Sequence, residues 1–206
     1  MKKKLLFTAL TLVGFLSANA QEKGTVEFGA GLGVNISTVS NGTQNANSLV
    51  GMNVAGSGEY YFSDRWGIKA KLIYDAKGWS DGFIEDTDTG NTIITDFKLN
   101  YLTIPVMANW HFGANRNWYL NFGPYVGILM NAEDSKLGLD LKEGFESTDF
   151  GLGLGIGYKF AVDEKLKIFI EYDGQSGFSD VFVNNAGSAV LNSRNSFNVG
   201  VLFILK

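Results

Sequence analysis

The chain carries few groups able to do chemistry, and their spacing argues against most of it. His111 is the only histidine. Acyl hydrolysis or transfer needs a nucleophile activated by a neighbouring base, and no serine and carboxylate pair falls where spacing would join them to His111. It reads as a polar filler near a turn. The run Asp86-Thr87-Asp88-Thr89-Gly90-Asn91 is similar to a calcium loop, but its glycine comes one place early and no closing bidentate glutamate follows. The alternating glycines Gly151, Gly153 and Gly155 lack the following helix that a nucleotide fingerprint requires. No catalytic, cofactor-binding or metal-binding residue is therefore expected, no cofactor is implied, and the chain is not expected to be an enzyme.

What remains is charge at alternate positions. Glu27, Glu59, Asp75, Asp149, Glu171 and Asp173, with Lys69, Lys71, Lys77, Lys159 and Lys167, would neutralise one another if all faced one enclosed space. Isolated buried charges are too costly to stand alone.

The stretch from Asp149 to Phe160 shows why they must share that space. Phe150, Leu152, Leu154, Ile156, Tyr158 and Phe160 alternate with Asp149, four glycines and Lys159. Period 2 marks a strand. A soluble sheet would turn polar side chains to water on its second face, whereas glycine suits a cramped interior. The apolar face is therefore expected to look out at lipid and the glycine and charge face into a closed barrel.

Seven further stretches alternate in the same way: Thr25 to Ser37, Val50 to Phe62, Trp66 to Lys77, Phe97 to Phe112, Trp118 to Met130, Leu166 to Gly174 and Ser196 to Leu205. Phe169, Leu202 and Ile204 are apolar exceptions on inward positions. Connections alternate long and short, with long ones over 38 to 48, 78 to 95, 131 to 148 and 175 to 195. The fold class expected is all-β, an eight-stranded antiparallel up-and-down transmembrane β-barrel, with long loops extracellular and short turns periplasmic. Aromatics crowd the short turns, as an interfacial girdle requires. Pro105 and Pro124 each remove a ladder donor, and the turn around Asn115 places them side by side, so a local bulge or weakened ladder is expected there.

The N-terminus has its own logic. Lys2, Lys3 and Lys4, an apolar run from Leu5 to Leu16, and Ala18-Asn19-Ala20 form a secretory signal peptide with its cleavage site. Residues 1–20 are expected to be the signal and 21–206 the barrel domain. Cleavage removes three lysines and no acid, leaving 14 basic against 21 acidic residues, net -7. That balance argues against nucleic acid as a partner. With no cysteine, an exported chain has no disulfide framework.

Three segments carry a family resemblance: Tyr101-Leu102-Thr103-Ile104-Pro105-Val106, Asn121-Phe122-Gly123-Pro124-Tyr125-Val126-Gly127 and Asp149-Phe150-Gly151. On these the chain resembles the outer-membrane β-barrel domain family, the porin-family or PorT-like barrels of Gram-negative bacteria. The resemblance implies a cell outer membrane location and little chemistry. The expected function is a non-enzymatic barrel with a side-chain-filled interior, presenting four extracellular loops for envelope structure or binding. Two alternatives stand beside it: an accessory barrel of outer-membrane protein export, and a soluble lipocalin-like periplasmic carrier, which would turn its apolar faces inward. Expected partners are outer-membrane lipid and the barrel-insertion machinery, the latter recognising Phe203 because the chain ends in Lys206 without a terminal aromatic. An envelope or secretion partner is left open, and the barrel is expected to be a monomer.

Overall fold

The computed structural model describes residues 23–40, 46–85 and 90–205. The segment expected to be a signal peptide, residues 1–20, and Asp86 to Thr89 of the calcium-like run lie outside the described residues. Eight strands follow in order: β1 (Val26–Ser40), β2 (Asn47–Tyr61), β3 (Trp66–Glu85), β4 (Thr92–Phe112), β5 (Trp118–Asp134), β6 (Thr148–Ala161), β7 (Leu166–Asp180) and β8 (Leu191–Leu205). Each pairs antiparallel with its sequence neighbours, and β1 closes on β8 from Val26↔Leu205 to Ser40↔Leu191. The sheet has no edge.

The faces are inverted relative to a soluble protein. Leu152, Leu154 and Ile156 are 51%, 57% and 42% exposed, while Lys69 and Glu171 are 2% and 4% exposed. This overturns the lipocalin-like alternative, because a carrier of that kind needs its apolar side chains around an internal ligand. Among the described residues no helix is long and apolar enough to cross a membrane. The apolar residues stand instead on the outer face of the barrel wall.

Glycines admit the inward exceptions. A Cβ at Gly31 would lie 2.8 Å from the Phe169 ring and one at Gly200 2.5 Å from it, so Phe169 fills space that two neighbouring strands leave empty. Leu202 sits over Gly29 in the same way.

At the long-connection end the strands run further than alternation predicts, with β3 continuing eight residues past Lys77 to Glu85. The reason is a bulge between Trp79 and Gly82 against β4, flanked by positive φ at Gly78 (133°) and Asp81 (57°). An extra residue flips every later side chain to the other face. The period is broken there although the ladder resumes as Phe83↔Ile94. The prolines weaken the ladder without shifting it: β4 and β5 pair at Pro105↔Tyr125 and again at Ala108↔Phe122, in unchanged register. The bulge between these strands lies elsewhere, at Asn100/Tyr101.

Around the short-turn end the outward aromatics form a continuous arc. Ring centroids step from Trp66 to Trp110 (6.2 Å), Trp110 to Phe112 (5.0 Å), Phe112 to Trp118 (6.2 Å), Trp118 to Tyr158 (4.9 Å) and Tyr158 to Phe160 (4.7 Å). Such a belt sits at the headgroup level. In the last short turn the Asp163 carboxylate accepts hydrogen bonds from the Lys165 and Leu166 N–H groups at 2.7 and 2.8 Å.

Two predictions follow from the wall and the turn. Leu154→Arg places a charge in hydrocarbon and lowers unfolding stability by about 2 to 4 kcal/mol near the midplane, measured by urea unfolding in lipid vesicles. Gly153→Ser costs less, because the one close neighbour of the added Cβ is the flexible end of Met107, with the Gly174 and Gly123 carbonyls at ordinary contact distance. Backbone N–H donors, those of Lys165 first, hold the Asp163 carboxyl below the usual carboxylate range. Its contribution is therefore complete above the unfolded value of about 3.9 and is lost as pH falls through the lower folded value. Asp163→Asn removes that portion of the acid sensitivity, read from the pH dependence of the urea midpoint.

Candidate functional site

The lumen is filled in layers. Nearest the short turns, Lys159 pairs with Glu27 and, at 3.2 Å, with Glu59, while Lys167 reaches Glu27 at 3.2 Å. His111 Nε2 lies 2.6 Å from Glu59 Oε1, and the Asn109 amide donates to the same carboxylate at 2.8 Å. His111 is fully buried. It faces Tyr119 across the ladder.

In the middle layer Glu171 takes Lys71, Lys69 at 3.4 Å and the Asn121 amide at 2.8 Å. Asp173 links this layer to the next through Arg194 Nη1 at 2.7 Å. Farther up, Lys77 holds Asp149 at 3.0 Å, to which the Tyr125 hydroxyl also donates at 3.1 Å. Asp75 accepts from the Asn35 amide at 2.8 Å and lies 3.4 Å from Arg194 Nε.

Arg194 is the residue that sequence reasoning missed. Alternation assigns it to the loop 175 to 195, but β8 begins at Leu191 and turns Arg194 inward. With it, the lumen's acids Glu27, Glu59, Asp75, Asp149, Glu171 and Asp173 are matched one for one by Lys69, Lys71, Lys77, Lys159, Lys167 and Arg194. The signal was the isolated arginine among Asn192, Ser193 and Asn195, which continues the polar alternation of β8.

Above the charges the lumen turns apolar, which the sequence did not announce. Trp79, Phe97, Leu99, Tyr101, Leu129 and Ala132 from β3, β4 and β5 pack with Phe145, Val181 and Val190 from the long connections. Trp79 stacks on Phe97 with centroids 4.8 Å apart. The connections that cover this layer are knitted by two aspartates. Asp134 accepts from the N–H groups of Lys136, Leu137 and Leu139 at 3.0, 2.6 and 2.9 Å. Asp180 accepts from those of Phe182 and Val190 and from the Asn185 amide. A single turn of 3-10 helix, Lys142–Gly144, lies between β5 and β6.

Within the lumen, the cavity lined by Lys69, Lys71, Glu171 and Arg194 measures about 20 Å³, room for about one water molecule. Among the described residues no group of three or more His, Asp or Glu side chains is placed to hold a metal ion. The geometry brings the charges together as a structural network.

Beyond the apolar band at the long-connection end lie Asp81, Glu85, Asp96, Glu133 and Asp134, with Asp140, Glu143, Glu146 and Asp180, against only Lys98, Lys136 and Lys142. At the short-turn end Asp64, Asp163 and Glu164 face Lys23, Arg65, Arg116 and Lys165. The lumen is neutral, so among the described residues the excess negative charge sits at one end.

Removing one member of the network strands its partners. Lys159→Met leaves Glu27 and Glu59 without their shared cation and lowers stability by about 3 to 5 kcal/mol, seen as a drop in the urea midpoint. A double change, Lys159→Met with Glu59→Gln, recovers part of the loss.

Comparison with known proteins agrees with this architecture. The family model described as outer membrane protein beta-barrel domain matches residues 19–183. The outer membrane protein OprG from Pseudomonas aeruginosa is similar in structure, with a TM-score of 0.54 and 12% identity over 90% of this chain and 98% of that one. Neisserial surface protein A is similar at a TM-score of 0.50 and 19% identity, over 85% of this chain and 96% of that one. A search of curated proteins found no match. With a closed ring of eight strands, lipid-facing leucines and a family model spanning most of its length, the chain belongs to the outer membrane protein beta-barrel domain family.

Proposed function

We propose that the protein is a non-catalytic barrel of the outer membrane whose wall holds the long connections outward as a binding surface. The observation that carries this reading is the division of the molecule along its axis. The lumen is packed with paired charges and capped by Trp79 and Phe97, whereas at the long-connection end the connections after β5 and β7 are exposed and held by their own hydrogen bonds. His111 is spent on Glu59 inside that packing, out of reach of a substrate. An interior of eight strands is of the width that side chains fill. Long connections of such barrels face the exterior, and loops on a rigid scaffold commonly carry function.

Two measurements test it. Purified mature protein in planar bilayers gives no steady single-channel conductance, and a stable conductance would overturn the filled-lumen reading. A deletion strain is then complemented with the wild-type chain or with a chain in which Glu85, Glu133, Leu137 and Leu139 are all serine. Both chains assemble to the same level, and only the wild type restores surface binding or the envelope phenotype of the strain. Equal rescue by both would remove the loops from the function.

A further inference from the structure

The long-connection end contains an apolar groove that closing the lumen does not explain. It measures about 630 Å³ and is floored by Phe97, Phe145 and Phe182. Phe83 and Ile84 of the β3–β4 hairpin line it, and Leu141, Asp140 and Glu143 come from the connection after β5. The floor is a packed aromatic layer, with Phe145 5.2 Å from Phe182 and 6.1 Å from Phe97 between ring centroids. A groove of this size is in the range of roughly 300 to 1,000 Å³ that small ligands and short peptide side chains fill.

This groove faces water, not lipid. On the outward face of β4, Asn100, Lys98 and Asp96 separate the last residue of the apolar band, Leu102, from Ile94. Yet Ile94 and its cross-strand partner Phe83 are 56% and 55% exposed, and Leu137 and Leu139 on the neighbouring turn are 50% and 46% exposed. Apolar side chains gathered on a water-facing surface mark an interaction site.

Charge selects the occupant. Asp140 accepts one backbone hydrogen bond, from the Lys142 N–H at 3.0 Å. Among the described residues neither Asp140 nor Glu143 takes part in an ion pair. Across the long-connection end nine acids face three bases among the described residues, so a phosphate-bearing lipid headgroup is repelled, and a bare acyl chain leaves both carboxylates unused. We propose that the groove binds a basic amphipathic peptide segment of a partner protein, with its apolar side chains on the aromatic floor and its lysine or arginine side chains at Asp140 and Glu143. Opposite potentials raise the encounter rate and exclude acidic competitors. This rests on the reading of the long connections as a binding surface and names what they bind.

The test is calorimetric titration of the mature protein in phosphatidylcholine nanodiscs, with empty nanodiscs as blank. Three acetylated and amidated pentapeptides serve as probes: alternating lysine and leucine, alternating lysine and serine, and alternating glutamate and leucine. The lysine and leucine peptide binds with one-to-one stoichiometry. Glu143→Lys and Phe83→Ser, both at exposed positions, each weaken it by about tenfold or more, while the circular dichroism spectrum and the heat-dependent gel shift stay those of the wild type. Equal binding of the lysine and serine peptide would reduce the effect to bulk charge and overturn the proposal. Binding of the glutamate and leucine peptide that is lost in Phe83→Ser would keep the groove as a site and overturn its stated preference. If none of the three binds, the peptide proposal fails, and the complementation assay above decides separately whether the loops carry the function.

Discussion

Hydrocarbon offers no partner for a peptide N–H or C=O, and every other feature of this molecule follows from that. A sheet crossing a membrane must pair both of its edges, which the β1 to β8 ladder accomplishes over fifteen residue pairs from Val26↔Leu205 to Ser40↔Leu191. Closure forces a small interior, and a small interior forces small or mutually satisfying side chains. Gly31, Gly200 and Gly29 yield space to Phe169 and Leu202, and the remaining volume is taken by ions that cancel. The outward face has only to be apolar, and it is filled with Leu, Ile, Val and Phe with little regard for shape.

The lumen is polar and apolar in separate layers. Charges occupy the length that crosses the membrane, where each carboxylate has a lysine, an arginine or an amide within reach. Toward the long connections the filling becomes Trp79, Phe97, Leu99 and Leu129, which need no hydrogen-bond partners and can be covered directly by Phe145, Val181 and Val190. Loops that close over ions would have to satisfy them in turn. Closing over rings asks only for complementary shape, and Asp134 and Asp180 then tie down the covering backbone.

Most of the wall could be read from alternation alone because lipid outside and a crowded lumen inside impose opposite demands on successive residues. The faces of Leu152, Lys69 and Glu171 follow from that rule, and the neighbouring positions of Pro105 and Pro124 follow from the short turn around Asn115. It failed where the rule itself lapses. Past the bulge at Trp79/Gly82 the strand continues out of phase, and Arg194 lies where β8 has left the apolar band, so its outward neighbours are polar and no contrast reveals it. The apolar layer drew on residues from two long connections, Phe145 and Val181 among them, whose meeting depends on closure of the whole ring and leaves no local pattern. Nothing in the spacing of Asp140 and Glu143 foretold an aromatic floor beside them.

The lopsided charge has a consequence for how these barrels share a membrane. Two copies drifting together present neutral, greasy flanks to each other, but their upper rims carry like sign and stand clear of the bilayer. At physiological ionic strength that repulsion reaches about 8 Å, enough to hold rims apart at near contact and too short to order them at a distance. Diluting the surrounding salt lengthens its range, so crowding in the plane becomes a property tuned by ionic strength.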